Sequence, residues 1–216
     1  MTYLLSLLGP MLQGTGLSLR VFGLTLLLAL PLGLLLALAR LARQRGVRVA
    51  VSGYIWLMRG TPLLLQMLFI YYALPFIPVI GVELQPFPSA IVAFTLNYAA
   101  YFAEIFRGGI QSIDRGQYEA AQVLGLSPAQ TLRRIVLPQV VKRVLAPVSN
   151  ETITLVKDTS LIYALAMNDL LRVARGIVQR DFSTTPFIVA GVFYLLMTLV
   201  LTLLFARLEK RYAVYD

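Results

Sequence analysis

Long apolar runs constrain this chain more than any other feature. Of its 216 residues, 58% are hydrophobic and only 13% are charged, whereas ordinary soluble domains carry about 25% charged residues. The mean hydropathy is +0.77. Inside a bilayer the backbone must satisfy its own hydrogen bonds, so such runs are expected to form helices. The sequence therefore predicts an all-α integral membrane protein.

Five transmembrane helices are predicted from the apolar runs. They cover approximately residues 17–41, 54–78, 89–106, 146–167 and 186–205. The stretch before the first span is apolar but interrupted by glycines and a proline, and we expect it to form a short interfacial helix. It lacks the basic start and the small-residue cleavage site of a secretory signal, so we expect it to remain in the mature protein.

Basic residues concentrate on one side of the predicted membrane. The main clusters on that side are Arg40, Arg43, Arg45, Arg48, Arg133, Arg134, Arg207, Lys210 and Arg211. Far fewer fall on the other side, namely Arg20, Arg172, Arg175 and Arg180. The positive-inside rule then predicts that the N-terminus is outside and the C-terminus inside. The net charge of +9 is thus explained by topology and anionic lipid headgroups, and a nucleic-acid partner is not expected.

The composition argues against catalysis by this chain. It has no cysteine and no histidine, which removes thiol chemistry, the commonest general base and the commonest metal ligand. The sequence contains no GxxxxGK[ST], HExxH or GxSxG motif, so a Walker-type nucleotide site, a zincin site and a serine-hydrolase elbow are excluded. We expect no enzymatic activity, no metal and no cofactor in this chain itself.

A polar, basic stretch lies between the third and fourth predicted spans. Glu119–Ala121 is predicted to open a short helix and Gly125 to close it. Ser127 is a suitable N-cap for a second helix with Pro128 at its first position, and Pro138 is predicted to end that run. The pattern favours a compact helix–turn–helix on the cytoplasmic side. An amphipathic loop lying on the lipid surface is the alternative.

The spacing of this stretch resembles the EAA loop found in membrane subunits of bacterial ABC importers. The matching positions are Glu119, Ala120, Ala121, Gly125, Ile135, Leu137 and Pro138. In that family the loop's helix sits in a cleft of a cytoplasmic ATPase and carries its motion into the membrane. The resemblance implies a cytoplasmic coupling helix within residues 115–138, and ATP and magnesium bound by a partner ATPase.

Further strings resemble the permease subunits of polar amino-acid importers of the histidine/arginine/glutamine type. They are RGTPLLLQ at 59–66, NYAAYFAEIFRGGIQSI at 97–113 and KDTSL at 157–161. This resemblance implies a multi-pass subunit of the bacterial inner membrane. It also implies an ATPase dimer, a second identical or related permease and an extracytoplasmic amino-acid-binding protein as partners.

Two polar stripes occur on the third and fourth predicted spans. Their members are Asn97, Tyr101 and Glu104 on the third span, and Glu151, Thr154 and Asp158 on the fourth. Helical spacing places each set on one face, and a carboxylate at that depth is costly unless it faces protein or water. We therefore predict that the stripes line a pathway for a polar solute. Three carboxylates against one lysine favour a cationic head group.

Three other polar residues are candidate gating or interface positions: Arg59, Gln66 and Lys157. A purely structural role is the alternative, in which Arg59 reaches the membrane interface, Gln66 finds an interhelical partner and Lys157 neutralises a carboxylate. An ATP-independent channel or secondary transporter could use the same acidic stripe. The sequence decides neither the amino acid transported nor whether two identical or two related permeases pair.

Overall fold

The computed structural model describes residues 2–77 and 81–212, and within these residues the secondary structure is entirely helical. The α-helices are α1 (Thr2–Arg40), α2 (Arg45–Gly60), α3 (Leu63–Leu68), α4 (Pro86–Gln111), α5 (Arg115–Val123), α6 (Pro128–Thr131), α7 (Leu137–Asp158), α8 (Leu170–Asp181) and α9 (Thr185–Tyr212). Short π-helical segments cover Phe69–Ala73 and Leu132–Val136, and 3₁₀ segments cover Leu74–Phe76 and Thr159–Leu165.

Among the described helices, α1, α4 and α9 are long and apolar enough to cross a bilayer. A fourth span is obtained if α2 and the helical stretch that ends at Phe76 are taken together, although they are bent by 105°. The third and fifth predicted spans fall inside α4 and α9. The predicted end of the second span, at Pro78, lies outside the described residues. The five-span count and the orientation remain predictions.

The fourth predicted span, residues 146–167, overlaps α7 and the 3₁₀ segment that follows it, and its membrane boundaries stay a prediction. The helix is α7, which begins nine residues before position 146, at Leu137, and gives way to a 3₁₀ segment after Asp158. The helix that follows, α8, contains Arg172, Arg175 and Arg180, which the sequence assigns to the outer side of the membrane. These boundaries were hard to place because α7 mixes charged and apolar residues, so hydropathy gives no sharp edge.

The prediction of a separate interfacial helix before the first span is wrong. Residues 2–40 form one continuous helix of 39 residues. Near its start, Leu7 and Met11 are buried against Leu170 and Ala174 of α8. This packing holds the first turns of α1 in line despite Pro10, because neighbouring helices can compensate for helix breakers in a membrane protein.

The central helix is α4. In its most apolar window 61% of the residues are buried, against 6% for α9, which places α9 at the periphery. Close approach to α1 depends on Gly33, where a Cβ would lie 2.7 Å from the Cβ of Phe102. A Cβ at Gly109 would overlap a methyl carbon of Val144 on α7. Small residues thus bring α1 and α7 against α4.

Candidate transport pathway and coupling segment

Residues 115–138, here called the coupling segment, begin with α5. The Asp114 side chain caps this helix by accepting a hydrogen bond from the Gly116 amide at 2.7 Å. The helix therefore begins four residues before Glu119, and the prediction that Glu119 opens it is wrong. Gly125 has a φ of +71°, the left-handed conformation that ends many helices and favours glycine. Its predicted role as the helix terminator is confirmed.

The second helix of the coupling segment starts as predicted. The Ser127 hydroxyl accepts from the Gln130 amide at 3.3 Å, and the Gln130 side chain accepts from the Ser127 amide at 2.8 Å. This is a complete capping box, with Pro128 at the first helical turn. The prediction that Pro138 ends the run is wrong. Pro138 lies in the first turn of α7, directly after the π-helical segment Leu132–Val136, and the helix continues past it.

The coupling segment leaves apolar side chains uncovered. Ala121 is fully buried, whereas Val123 is 88% exposed and Leu124 and Leu132 are also exposed. Glu119 and Ala120 are exposed on the same short helix. Contiguous exposed apolar residues at a polar surface are typical of a protein–protein contact.

One hydrogen bond joins the acidic stripe of α7 to α4. The Tyr98 hydroxyl donates to an Asp158 carboxylate oxygen at 2.7 Å. Glu151 lies two turns earlier on the same helix face and is half-buried, and between them the Thr154 hydroxyl donates to the Asn150 carbonyl at 3.0 Å. Lys157 is exposed. Within residues 2–77 and 81–212, no ion pair within 4 Å joins a cation to Glu151 or Asp158.

The first residue of the α4 stripe, Asn97, contacts the backbone at the break between α2 and α3. The carbonyl of Met58 lacks its normal helical partner because residue 62 is a proline. Instead it accepts from the Asn97 amide at 3.0 Å and from the Gln66 amide at 2.9 Å. Asn97 also donates to the Gln66 side-chain oxygen at 3.0 Å, and Gln66 to the Thr61 hydroxyl at 2.7 Å. These two amides thus satisfy the backbone at the break.

The last residue of the α4 stripe, Glu104, is surrounded by three arginines. Arg107 donates to both carboxylate oxygens, at 2.7 and 3.2 Å. Arg40 at the end of α1 also pairs with Glu104, and a nitrogen of Arg59 lies 3.8 Å from it. The Arg59 guanidinium carbon lies 5.2 Å from the centre of the Tyr101 ring, within the range of a cation–π contact. We call Arg40, Arg59, Arg107 and Glu104 the arginine cluster.

The three predicted carboxylates therefore have different electrostatic environments. Glu104 is neutralised by its neighbours, whereas no described cation lies within 4 Å of Glu151 or Asp158, which are attracted only from farther away by Arg59 and Lys157 respectively. Acidic groups at membrane depth are expensive unless they face water or a ligand. The face of α7 that carries them, together with Tyr98, is the part of the structure best suited to hold a positively charged group.

Sequence reasoning did not single out Tyr98, Arg40 or Arg107. Tyr98 follows Asn97 directly and so lies off the predicted stripe, which was selected by helical phase alone. Arg40 and Arg107 were counted only as basic residues on the predicted cytoplasmic side. One signal for the helix break was available, because Pro62 stands four residues after Met58.

Comparisons with known proteins agree with this geometry. Residues 29–214 match the family described as "Binding-protein-dependent transport system inner membrane component". The chain is 38% identical over 190 residues to the L-cystine transport system permease protein TcyB of Bacillus subtilis, covering 87% of this chain and 80% of that protein. It is 37% identical over 202 residues to the glutamine transport system permease protein GlnP of Escherichia coli K12, covering 93% and 92%.

A solved structure matches nearly the whole fold. It is described as "Crystal structure of an amino acid ABC transporter with histidines", with a TM-score of 0.88, 31% sequence identity and 97% of both chains covered. The helical arrangement is thus that of an ABC-transporter permease. The chain belongs to the family of binding-protein-dependent transport system inner membrane components, and the resemblance inferred from its motifs is confirmed.

Proposed function

We propose that this chain is the transmembrane subunit of an ATP-driven importer for polar amino acids. It forms half of the translocation pathway and couples it to a separate ATPase. One observation carries the proposal: the coupling segment continues through Leu132–Val136 into α7 without a loop. A displacement of the segment is therefore transmitted to the helix that bears Glu151 and Asp158. The family membership and the permease names of both relatives support this reading.

The acidic face of α7 is proposed to receive the positive end of the solute. Every free amino acid carries an α-ammonium group, and a cationic side chain adds a second positive charge. The two relatives are named for cystine and glutamine, which share only the backbone groups. We therefore assign Glu151, Asp158 and Tyr98 to the ammonium group. Because this face carries two carboxylates, we propose a cationic amino acid (arginine, lysine or histidine) as the preferred solute. Thr154 and Tyr101 are proposed to line the same route.

A single chain does not close this route. Asn150 and Lys157 are exposed on α7, and such polar side chains are unfavourable against lipid. We propose that a second copy or a homologous permease covers this face, that an ATPase dimer covers the coupling segment, and that an extracytoplasmic amino-acid-binding protein delivers the solute. ATP and magnesium are then bound by the ATPase, and the assembly resides in the bacterial inner membrane.

The coupling role is tested by Glu119→Arg in the assembled complex reconstituted into vesicles. We expect ATP-driven amino-acid uptake to fall by about tenfold or more while the purified complex keeps its normal unfolding temperature, because a bulky cation replaces an exposed carboxylate at the docking surface. Glu209→Arg is the matched control, since Glu209 is exposed near the end of α9 and outside the coupling segment. It should transport normally.

Two outcomes would contradict the proposal. Normal uptake by Glu119→Arg would remove the coupling segment from the mechanism. Uptake that persists in vesicles without an ATPase or without ATP would favour the channel or secondary transporter that uses the same acidic stripe.

A further inference from the structure

A cleft opens beside the arginine cluster, and no residue of α7 is among its lining residues. Its volume is about 360 Å³, and its lining includes Arg40, Arg59, Glu104, Ser52 and Trp56. The lining residues come from α1, α2 and α4. The proposed transport mechanism assigns no role to this cleft.

The charges around the cleft do not balance. Three guanidinium groups lie within 4 Å of one carboxylate, which leaves two positive charges in excess at that distance, although Glu151 attracts Arg59 from farther away. Arg107 occupies both oxygens of Glu104, so the contact with Arg59 is the weakest, at 3.8 Å, and the Arg59 side chain remains 43% exposed. A guanidinium has five N–H donors in a planar fork that fits phosphate oxygens. The cleft thus presents unused donors of the kind that bind a phosphate ester.

The position of the cleft also fits a lipid headgroup. It lies where α1 ends at Arg40 and α2 ends at Gly60, on the side that the charge bias predicts to be cytoplasmic. Trp56 is 77% exposed at its edge, and exposed tryptophans are enriched at the level of lipid headgroups. Basic pockets between helices on the cytoplasmic side bind anionic lipid headgroups.

We propose that this cleft binds the phosphodiester headgroup of an anionic phospholipid such as phosphatidylglycerol. Arg40 and Arg59 contact the phosphate, whose negative charge offsets the excess charge of the arginine cluster. The Ser52 hydroxyl already donates to the Arg48 carbonyl at 2.7 Å, so its oxygen is left to accept from a headgroup hydroxyl. The bound lipid would join the ends of α1 and α2 to α4.

The test measures lipid binding to the purified full-length chain by native mass spectrometry. Phosphatidylglycerol and phosphatidylcholine with the same acyl chains are titrated separately. We expect phosphatidylglycerol to bind about tenfold more tightly, the order expected for one to two basic contacts. The double variant Arg40→Gln/Arg59→Gln should reduce this preference to about twofold or less.

Two further variants separate the cleft from general surface charge and from misfolding. Arg45→Gln/Arg48→Gln removes the same charge from α2 outside the cleft, and it should keep most of the preference. Ser52→Phe fills the cleft but retains every charge of the arginine cluster, and it should lose the preference. A final arm adds inorganic phosphate at millimolar concentration, which should not displace the lipid.

Four results would overturn the proposal. They are equal binding of the two lipids, an equal loss in the Arg45/Arg48 control, an unchanged preference in Ser52→Phe, and displacement of the lipid by inorganic phosphate. The last result would identify the cleft as a site for free phosphate.

Discussion

Two acidic regions that look alike in the sequence differ in the structure. Glu104 on α4 and Asp158 on α7 each belong to a polar stripe in a predicted membrane span. Three arginines surround Glu104, whereas Asp158 accepts only the Tyr98 hydroxyl among the described side chains. The first carboxylate joins the ends of three helices, and the second is left with capacity to bind a ligand.

This difference shows what separates a structural charge from a candidate binding charge. Predicted depth in the membrane and helical spacing gave the same evidence for Glu104 as for Asp158. The number of cations within reach differs: Arg107 of α4 itself contacts Glu104, and the ends of α1 and α2 add Arg40 and Arg59. A buried charge that has lost its partner is strongly destabilising, so neutralising Glu104 should reduce stability more than neutralising Glu151 or Asp158.

The largest expected effect is on stability, from Glu104→Gln. This change leaves three guanidinium groups close together without a counter-charge, and we expect the free energy of unfolding to fall by about 3 kcal/mol. Glu151→Gln is the matched control and should change it by less than about 1 kcal/mol, because no described cation lies within ion-pair distance of Glu151. Thermal unfolding in the same detergent measures both. Equal losses would remove the distinction between the two regions.

The second prediction concerns amino-acid transport rather than stability. Asp158→Asn should lower amino-acid uptake in reconstituted vesicles by about tenfold to a hundredfold, the range expected when a charged partner of the solute is lost. Its effect on the unfolding temperature should be small, because asparagine can still accept from Tyr98. Tyr98→Phe is a companion variant that removes the hydroxyl alone. Normal uptake by Asp158→Asn would contradict the assignment of the acidic face.

The sequence predicted the local features of the fold better than its long-range contacts. Gly125 and Ser127 were assigned correctly because turn and capping chemistry depend on adjacent residues. The first turns of α1 were misread, since the support that keeps them helical comes from α8, more than 150 residues later. The second span was predicted to run through Pro62, although that residue was a local signal for the break between α2 and α3. Nothing local indicated that Asn97 would satisfy the freed carbonyl. Helical spacing shows which residues share a helix face, but it does not show which other helix packs against that face.

A third prediction tests whether Asn97 also serves a structural role. Asn97→Ala would leave the Met58 carbonyl and the Gln66 amide short of a partner in a buried site, and we expect a loss of about 1–2 kcal/mol in unfolding free energy. Gln66→Ala should cost a similar amount. The double variant should cost less than the sum of the two, because both side chains act on the same carbonyl. Additive losses would show that they act independently.

Asp169 extends the comparison to a buried carboxylate outside the predicted spans. It caps α8, accepting from the amides of Leu171 and Arg172 at 3.0 and 3.1 Å, and it is fully buried. Burial raises the pKa of Asp169 to about 6, although these backbone hydrogen bonds act in the opposite direction. Asp169 therefore represents an intermediate case, with hydrogen-bond donors around it but without the three arginines that surround Glu104.

The smallest predicted effect is the pH dependence that this carboxylate confers. Because the pKa in the folded state lies above the usual value of about 3.9, folding favours the protonated form. Its stabilising contribution is complete below about pH 4 and is lost as the pH rises through about 6. Asp169→Asn keeps a capping oxygen but cannot titrate. The stability of the wild type relative to this variant should therefore increase by about 1 kcal/mol from pH 7 to pH 5, measured by denaturant unfolding at both values. A difference that does not change with pH would show that the carboxylate is ionised across this range.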